Sequence, residues 1–346
     1  MNAADLPSGA PLRWAIVGPG RIAHRFAQAV QGLPQAQLVA VVGRDAGRAQ
    51  AFAQCWQVPG QPAAWVAPDL DTLLARDDVD AVYVATPHSH HAGAVAAALH
   101  AGKPVLCEKP LVPHSAAAVP LVALARERGV FLMEALWTRF LPAYAQVQAW
   151  LQQGAIGTLR SVHSSFCFHA PYEPASRVFN PALAGGALLD IGIYNLSVLR
   201  WVLQTVRGHC PEPLRWQLQG LRAPTGVDRR VAGLLAFEGD VTASFECSVD
   251  SHSANALRIE GSAGHILLPH NFWQATQAEL HVHGQAAQTV HTPFAINGFE
   301  GEITEATRCI RAGLFESPAM PHSETLATLR WMDHIRAELG VVYPFE

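Results

Sequence analysis

The chain has 346 residues, 50% of them apolar and 15% charged, with a formal net charge of −4, the make-up of a globular protein large enough for two domains. No apolar run reaches the roughly 18 residues of a membrane helix, the opening Met1-Asn2-Ala3-Ala4-Asp5 lacks the pattern of a secretory leader, and the acidic total carries no basic stripe for nucleic acid; a cytoplasmic protein with neither membrane nor nucleic-acid partner is expected. The cysteines at 55, 107, 167, 210, 247 and 309 are dispersed and form no C-x-x-C pair, so neither a disulfide scaffold nor a structural zinc site is indicated.

In chain order, the first third alternates short apolar runs with helical patterns. Leu12 to Val17 reads as a strand, Arg21 to Val30 as a helix, Leu38 to Val42 as a strand, and Ala46 to Gln54 and Leu70 to Ala75 as helices. A strand at Ala81 to Ala85, a helix at Ala92 to Ala101, a strand at Val105 to Cys107, a helix at Ser115 to Arg128 and a strand at Val130 to Met133 follow. This alternation predicts a doubly wound parallel sheet of the Rossmann type.

After about Glu134 strands follow one another, at Leu159 to Phe168, Val231 to Phe237, Val241 to Val249, Leu257 to Glu260 and Glu279 to Val282. Helices are expected at Tyr144 to Gln153, Gly186 to Leu203, Glu302 to Ala312 and Ser323 to Leu339. The fold class is therefore α/β plus α+β, with a nucleotide-binding domain over 1–134 and, over 135–346, an α+β domain on a largely antiparallel open sheet. A cleft between the two is the expected place for chemistry.

Gly18-Pro19-Gly20-Arg21-Ile22-Ala23 lies between the first strand and the first helix, where a G-x-G-x-x-A turn lets a dinucleotide pyrophosphate approach the backbone at a helix N-terminus. Gly18, Gly20, Arg21 and Ile22 are cofactor candidates. An NAD site places an acid at the end of the second strand; here Val42-Gly43-Arg44 ends it, and a guanidinium suits a 2′-phosphate. Arg44, with Arg48 four positions on, favours NADP; Asp45 on the ribose, and hence NAD, is the alternative.

Further along, Thr86-Pro87-His88-Ser89-His90-His91 and Cys107-Glu108-Lys109-Pro110 end strands at the carboxyl edge of the sheet, where open α/β folds bind ligands. Thr86, His88, His91, Glu108 and Lys109 join the cofactor candidates. The histidines crowd together without metal-ligand spacing, and no metal is expected. Lys103 and Lys109 are the only lysines among 24 basic residues; where Arg serves nearly everywhere, Lys marks a place needing an amine. Asp190 and Tyr194, four apart after Gly185-Gly186 and opening an apolar helix, share a face on which a polyol would satisfy them. Trp137, Arg139 and Phe168 are candidates for the pocket wall, core packing being the plainer reading of Trp137 and Phe168.

These motifs, G-x-G-x-x-A at 18–23, T-P-x-x-x-H at 86–91, E-K-P at 108–110 and G-G-x-L-L-D-x-G-x-Y at 185–194, resemble the glucose-fructose oxidoreductase / inositol dehydrogenase (Gfo/Idh/MocA) family. Met133 to Phe140 and the tail from Asn297-Gly298 to Tyr343-Pro344-Phe345 are similar to its dimeric dihydrodiol dehydrogenase and NADP-dependent D-xylose dehydrogenase branch. The resemblance implies a catalytic Lys109, a substrate site at Asp190 and Tyr194, and a homodimer formed through the open sheet. Many sugar-specific members carry His where this chain has Tyr194. The expected activity is hydride transfer between NADP and a CH–OH group of a polyol, aldose or diol, with Tyr194 or Lys109 carrying the proton and Asp190 orienting them. A nucleotide-binding sensor without catalysis, or an interaction scaffold, are the competing readings.

Overall fold

The computed structural model describes residues 9–60 and 62–346. Strands β1 (Leu12–Val17), β2 (Ala36–Val42), β3 (Trp65–Val66), β4 (Ala81–Val84), β5 (Val105–Glu108) and β6 (Leu132–Ala135) alternate with helices α1 (Arg21–Gly32), α2 (Ala46–Cys55), α3 (Leu70–Leu74), α4 (His91–His100) and α5 (Ser115–Arg128). The strands form one sheet in the order β3-β2-β1-β4-β5-β6, every pair parallel. Trp14, Ile16, Val82, Val84 and Leu106 have no exposed surface, as helices on both faces of a parallel sheet require. The order reverses between β1 and β4, which opens a crevice at their carboxyl ends.

The chain continues through α6 (Pro142–Gln152), β7 (Leu159–Cys167), a π-helical turn (Leu188–Gly192), α7 (Ile193–Arg207), β8 (Arg215–Arg222), β9 (Asp228–Phe237), β10 (Val241–Ser248), β11 (Leu257–Gly261), β12 (Gly264–Leu268), β13 (Gln277–Val282) and β14 (Gln288–His291). Helices α8 (Glu300–Arg311) and α9 (His322–Leu339) complete it. The second sheet runs β14-β13-β12-β11-β7-β10-β9-β8 and is antiparallel except for the parallel pair β7/β10. One face packs on α7; the other leaves Leu234 and Leu221 exposed.

Three particulars differ from the sequence expectation. The chain divides into two compact units, one running as far as Trp137 and taking in Ala295–Leu326, the other Thr138–Phe294 with Ala327–Glu346. The return of 295–326 to the first unit, where the expected cut put it in the second, follows from side-chain chemistry. Arg25 on α1 donates to the Asn297 carbonyl at 2.6 Å, Asn297 donates back to the Arg25 carbonyl at 2.8 Å, and Glu300 accepts from the Ile296, Asn297 and Gly298 amides. Second, the stretch Pro181–Arg207 is long and apolar enough to cross a bilayer, with a mean hydropathy of 1.5 over its best window, although no such run was expected; 89% of that window is buried within the protein, the state of a core helix. Third, the helix expected from Gly186 begins with the π-turn before α7.

Candidate active site

In the first unit the glycine turn is built as its spacing predicts. Gly18 has φ +93°, and a Cβ there would meet the backbone of Ala85 and Thr86 at 2.9 Å, so no side chain is tolerated. Gly20 caps α1 with no side-chain hydrogen bond and no acid in the first turn, and a Cβ on it would meet nothing within 4 Å. The result is an open approach to a helix start whose amides favour an anion. Thr86 adds a buried hydroxyl with no hydrogen-bond partner, the kind of atom a ligand satisfies. A dinucleotide fits these residues.

At the end of β2, Arg44 and Arg48 are exposed, as is Arg21; Ile22 is half-buried. Asp45 caps α2, its Oδ1 accepting from the Arg48 amide at 2.9 Å. Its carboxylate thus has a structural partner, which favours Arg44 as the nucleotide-reading residue. Gly43 sits against Pro19, where a Cβ would come within 2.7 Å of Cδ, so the loops after β1 and β2 touch.

The E-K-P segment is held from both sides. Glu108, placed with the cofactor by the sequence, is 9% exposed and its carboxylate accepts from the Tyr83 phenol; its side chain belongs to the interior. Burial and the Glu108 charge push the Tyr83 phenol well above its ordinary range. After Lys109, whose peptide bond to Pro110 is cis, the Leu111 amide donates to Glu134 at 2.8 Å, and Thr325 donates to the same carboxylate at 2.9 Å. His91 has no exposed surface. Its Nε2 lies 2.8 Å from the Thr86 carbonyl and its Nδ1 2.9 Å from the Pro110 carbonyl, so it ties the Thr86 loop to the E-K-P loop where the sequence had it lining the cofactor. Burial lowers its pKa, against its carbonyl partners. His88 packs edge-on to it at 5.8 Å. Lys109 itself is half-buried, between these two clamped positions.

Also in this unit, Trp137 is 4% exposed and packs with Phe299 at 5.1 Å, the Arg25 guanidinium lying over both rings at 4.7 and 5.1 Å. Glu302 on α8 went unnoticed in the sequence: it is fully buried, neither carboxyl oxygen has a hydrogen-bond partner, and burial followed by the Glu108 charge raises its pKa well above the carboxylate range, Arg25 opposing.

In the second unit the π-turn carries Asp190 and leads into Tyr194, 4% and 6% exposed. Such turns widen a helix and recur at functional sites. Asp190 accepts from Arg177 at 2.8 Å, a partner that sequence reasoning missed because thirteen positions of loop separate them. The Tyr194 ring lies 5.7 Å from Phe166, which stacks on Trp273 at 3.3 Å. Phe168 is half-buried and 6.4 Å from Phe166, and Arg139 reaches Ser197, donating from Nε at 3.3 Å. The second unit therefore brings Asp190, Tyr194 and an aromatic wall together, while the first assembles Gly18, Thr86, His91 and Lys109.

The reversed parallel sheet, the glycine turn and the uncapped helix start define a dinucleotide-binding oxidoreductase fold. Residues 12–136 match the model of an oxidoreductase family with an NAD-binding Rossmann fold, and residues 144–267 match the GFO/IDH/MocA C-terminal domain. The chain belongs to the Gfo/Idh/MocA oxidoreductase family. It is 37% identical over 344 residues to the trans-1,2-dihydrobenzene-1,2-diol dehydrogenase of Macaca fascicularis, covering 96% of this chain and 98% of the relative. Among solved structures, a 3-ketoreductase from Actinomadura kijaniata in complex with NADP and TDP-benzene superposes with TM-score 0.81 at 28% identity, over 94% of this chain and 97% of that one. That enzyme was also solved as variants with one lysine or one tyrosine replaced. An aldose-aldose oxidoreductase from Caulobacter crescentus complexed with glycerol gives 0.82 at 25% identity, over 95% and 98%. An enzyme, rather than a sensor that binds nucleotide without chemistry, is what these relatives support.

Proposed function

We propose that the protein is an NADP-dependent dehydrogenase acting on a CH–OH group of a trans-dihydrodiol or an aldose, working as a homodimer in the cytoplasm. The observation that carries the reading is the pair Asp190 and Tyr194 on a π-turn beside Phe166 and Trp273: a carboxylate and a phenol on an apolar face suit a vicinal diol on a hydrocarbon or sugar ring. Substrate class is supported by the diol dehydrogenase and aldose oxidoreductase relatives. NADP over NAD is supported by Arg44 together with the engagement of Asp45 as a helix cap and by the NADP-bound ketoreductase. The dimer is supported by the open face of the second sheet, where Leu234 and Leu221 stand exposed.

Gly18, Gly20, Arg44 and Thr86 would hold NADP, whose nicotinamide would supply the hydride exchange. The Tyr194 phenol is the group for the hydroxyl proton, Lys109 being the other candidate for it, and Asp190, oriented by Arg177, accepts a substrate hydroxyl. Initial rates of NADP⁺ and NAD⁺ reduction over trans-dihydrodiols and aldoses test this, with Lys109→Ala in parallel. Turnover preferring NADP⁺ and reduced roughly 10²–10⁴-fold in the variant, with NADPH still bound, is the expected result. Undiminished turnover by Lys109→Ala sinks the assignment.

A further inference from the structure

Resting on the reading of Asp190 and Tyr194 as the substrate site, we infer that Asp228 and the C-terminal Tyr343 are positioning residues, which clamp the Gly185-Gly186 turn and so set the aim of the π-turn that follows. Nothing in the chemistry above uses either residue, yet both are among the most buried polar side chains of the second unit, at 0% and 1% exposure.

The clamp has two jaws. On one side, at the start of β9, Asp228 Oδ2 accepts from the Leu188 amide at 2.6 Å, giving the first residue of the π-turn a side-chain cap supplied from a distant strand. Gly186, with φ +123°, lies so close that a Cβ on it would fall 2.4 Å from Asp228 Oδ1; both glycines of the motif are thereby explained, since a Cβ on Gly185 would meet the Val178 carbonyl oxygen at 2.6 Å. On the other side, the Tyr343 hydroxyl donates to the Gly185 carbonyl at 2.6 Å. The tail is itself anchored: Tyr343 stacks with Phe345 at 5.5 Å, Arg336 lies over its ring at 4.9 Å, and Arg336 pairs with Glu346 at 2.8 Å. The charged and titratable groups acting on Asp228 are Arg336, Tyr343 and Cys247.

A π-turn is a rare, single-turn i→i+5 departure from the α-helical register, and the two jaws hold that departure in place. Asp190 lies two residues past the capped amide and Tyr194 six, and a shift of about 1 Å at reacting groups can cost roughly a hundredfold in rate. The Tyr343-Pro344-Phe345 ending, which the sequence singled out, thus gains a role: its phenol holds a turn some 158 positions away.

Tyr343→Phe, Asp228→Asn and Tyr194→Phe are to be compared by peptide-resolved hydrogen exchange of the full chain and by steady-state kinetics with NADP⁺ and the best diol or aldose. For Tyr343→Phe, exchange of the amides over 186–194 is expected to quicken at least roughly tenfold while the rest of α7 keeps its protection. Over the same comparison kcat falls roughly tenfold or more, with KM for NADP⁺ within twofold. Unchanged exchange over 186–194, or an unchanged kcat, overturns the clamp. Should Asp228→Asn fail to fold, the loss of a single hydroxyl in Tyr343→Phe decides alone. If Tyr194→Phe turns over like the parent, the substrate-site reading falls, while the exchange data still report on the clamp.

Discussion

Asp228 offers a quantitative test through the pH dependence of stability. It is fully buried, and burial raises its pKa from 3.8 to about 6 against the opposing Leu188 amide and Arg336 charge. Because the folded pKa lies above the unfolded one, the native state binds the extra proton, and the stability this provides is full below about pH 3.8 and lost as pH rises through about 6. At about 1.36 kcal/mol per unit, a rise of 2.2 units (6 − 3.8) is worth about 3 kcal/mol. Asn is isosteric with the protonated acid and keeps an oxygen for the Leu188 amide, but sets an NH2 where Oδ1 has no partner, which costs about 1–3 kcal/mol at every pH. Asp228→Asn is therefore less stable than the parent at pH 4.5, and the deficit shrinks or inverts by pH 7.5. Melting temperatures across that range give the curve directly. A difference between variant and parent that does not vary with pH would refute the reasoning.

Glu302→Gln follows the same sign, since its buried, unpartnered carboxyl also titrates upward: the gain in melting temperature over the parent is expected to be larger at pH 8 than at pH 5.5, and an equal gain at both would show the acid to be neutral throughout. Arg44→Ala is expected to lower kcat/KM for NADP⁺ roughly ten- to a hundredfold, the worth of a charge-assisted hydrogen bond of about 1.5–3 kcal/mol, while NAD⁺ changes little; equal losses for both cofactors count against a 2′-phosphate contact. Gly18→Ala must relieve a 2.9 Å approach to backbone at φ +93°, which costs about 1–3 kcal/mol and loosens NADPH, measured by thermal melting and fluorescence titration. A variant that melts and binds like the parent would contradict the built turn.

What the sequence disclosed divides along physical lines. Elements buried on both faces were legible, because β4 is an unbroken apolar run and β1 and β5 are apolar but for Arg13 and the terminal Glu108, and the glycine turn was legible because only one residue type fits it. The strands that went unseen are β8, β12 and β14, with the two-residue β3. Strands β8 and β14 are edges whose exposed residues carry no burial signal. The return of α8 to the first unit was hidden because its cause is a pair of hydrogen bonds between residues 272 positions apart. Arg177 and Asp228 share that obscurity: each reaches its partner from a loop or strand that neither spacing nor periodicity connects to the site. Glu108 shows the reverse failing, since its place in a motif pointed to the cofactor while its carboxylate turns inward to Tyr83.

The two lysines show how far composition alone can be pressed. In a chain that uses arginine for every other basic residue, both are places where arginine was not used, and the structure separates their reasons. Lys103 Nζ donates to the Arg76 and Val79 carbonyls at 2.7 and 2.8 Å, two acceptors converging on a point that suits a compact ammonium better than a planar fork. Its scarcity is therefore a matter of shape. Lys109 stands between the inward-turned Glu108 and the Leu111 amide held by Glu134, on a loop pinned by His91, so the chain there is fixed by its neighbours on either side. If Lys109 serves the proposed reaction, Lys109→Arg, which keeps the charge and changes the shape and acidity, is the substitution that separates an electrostatic part from a proton-handling one.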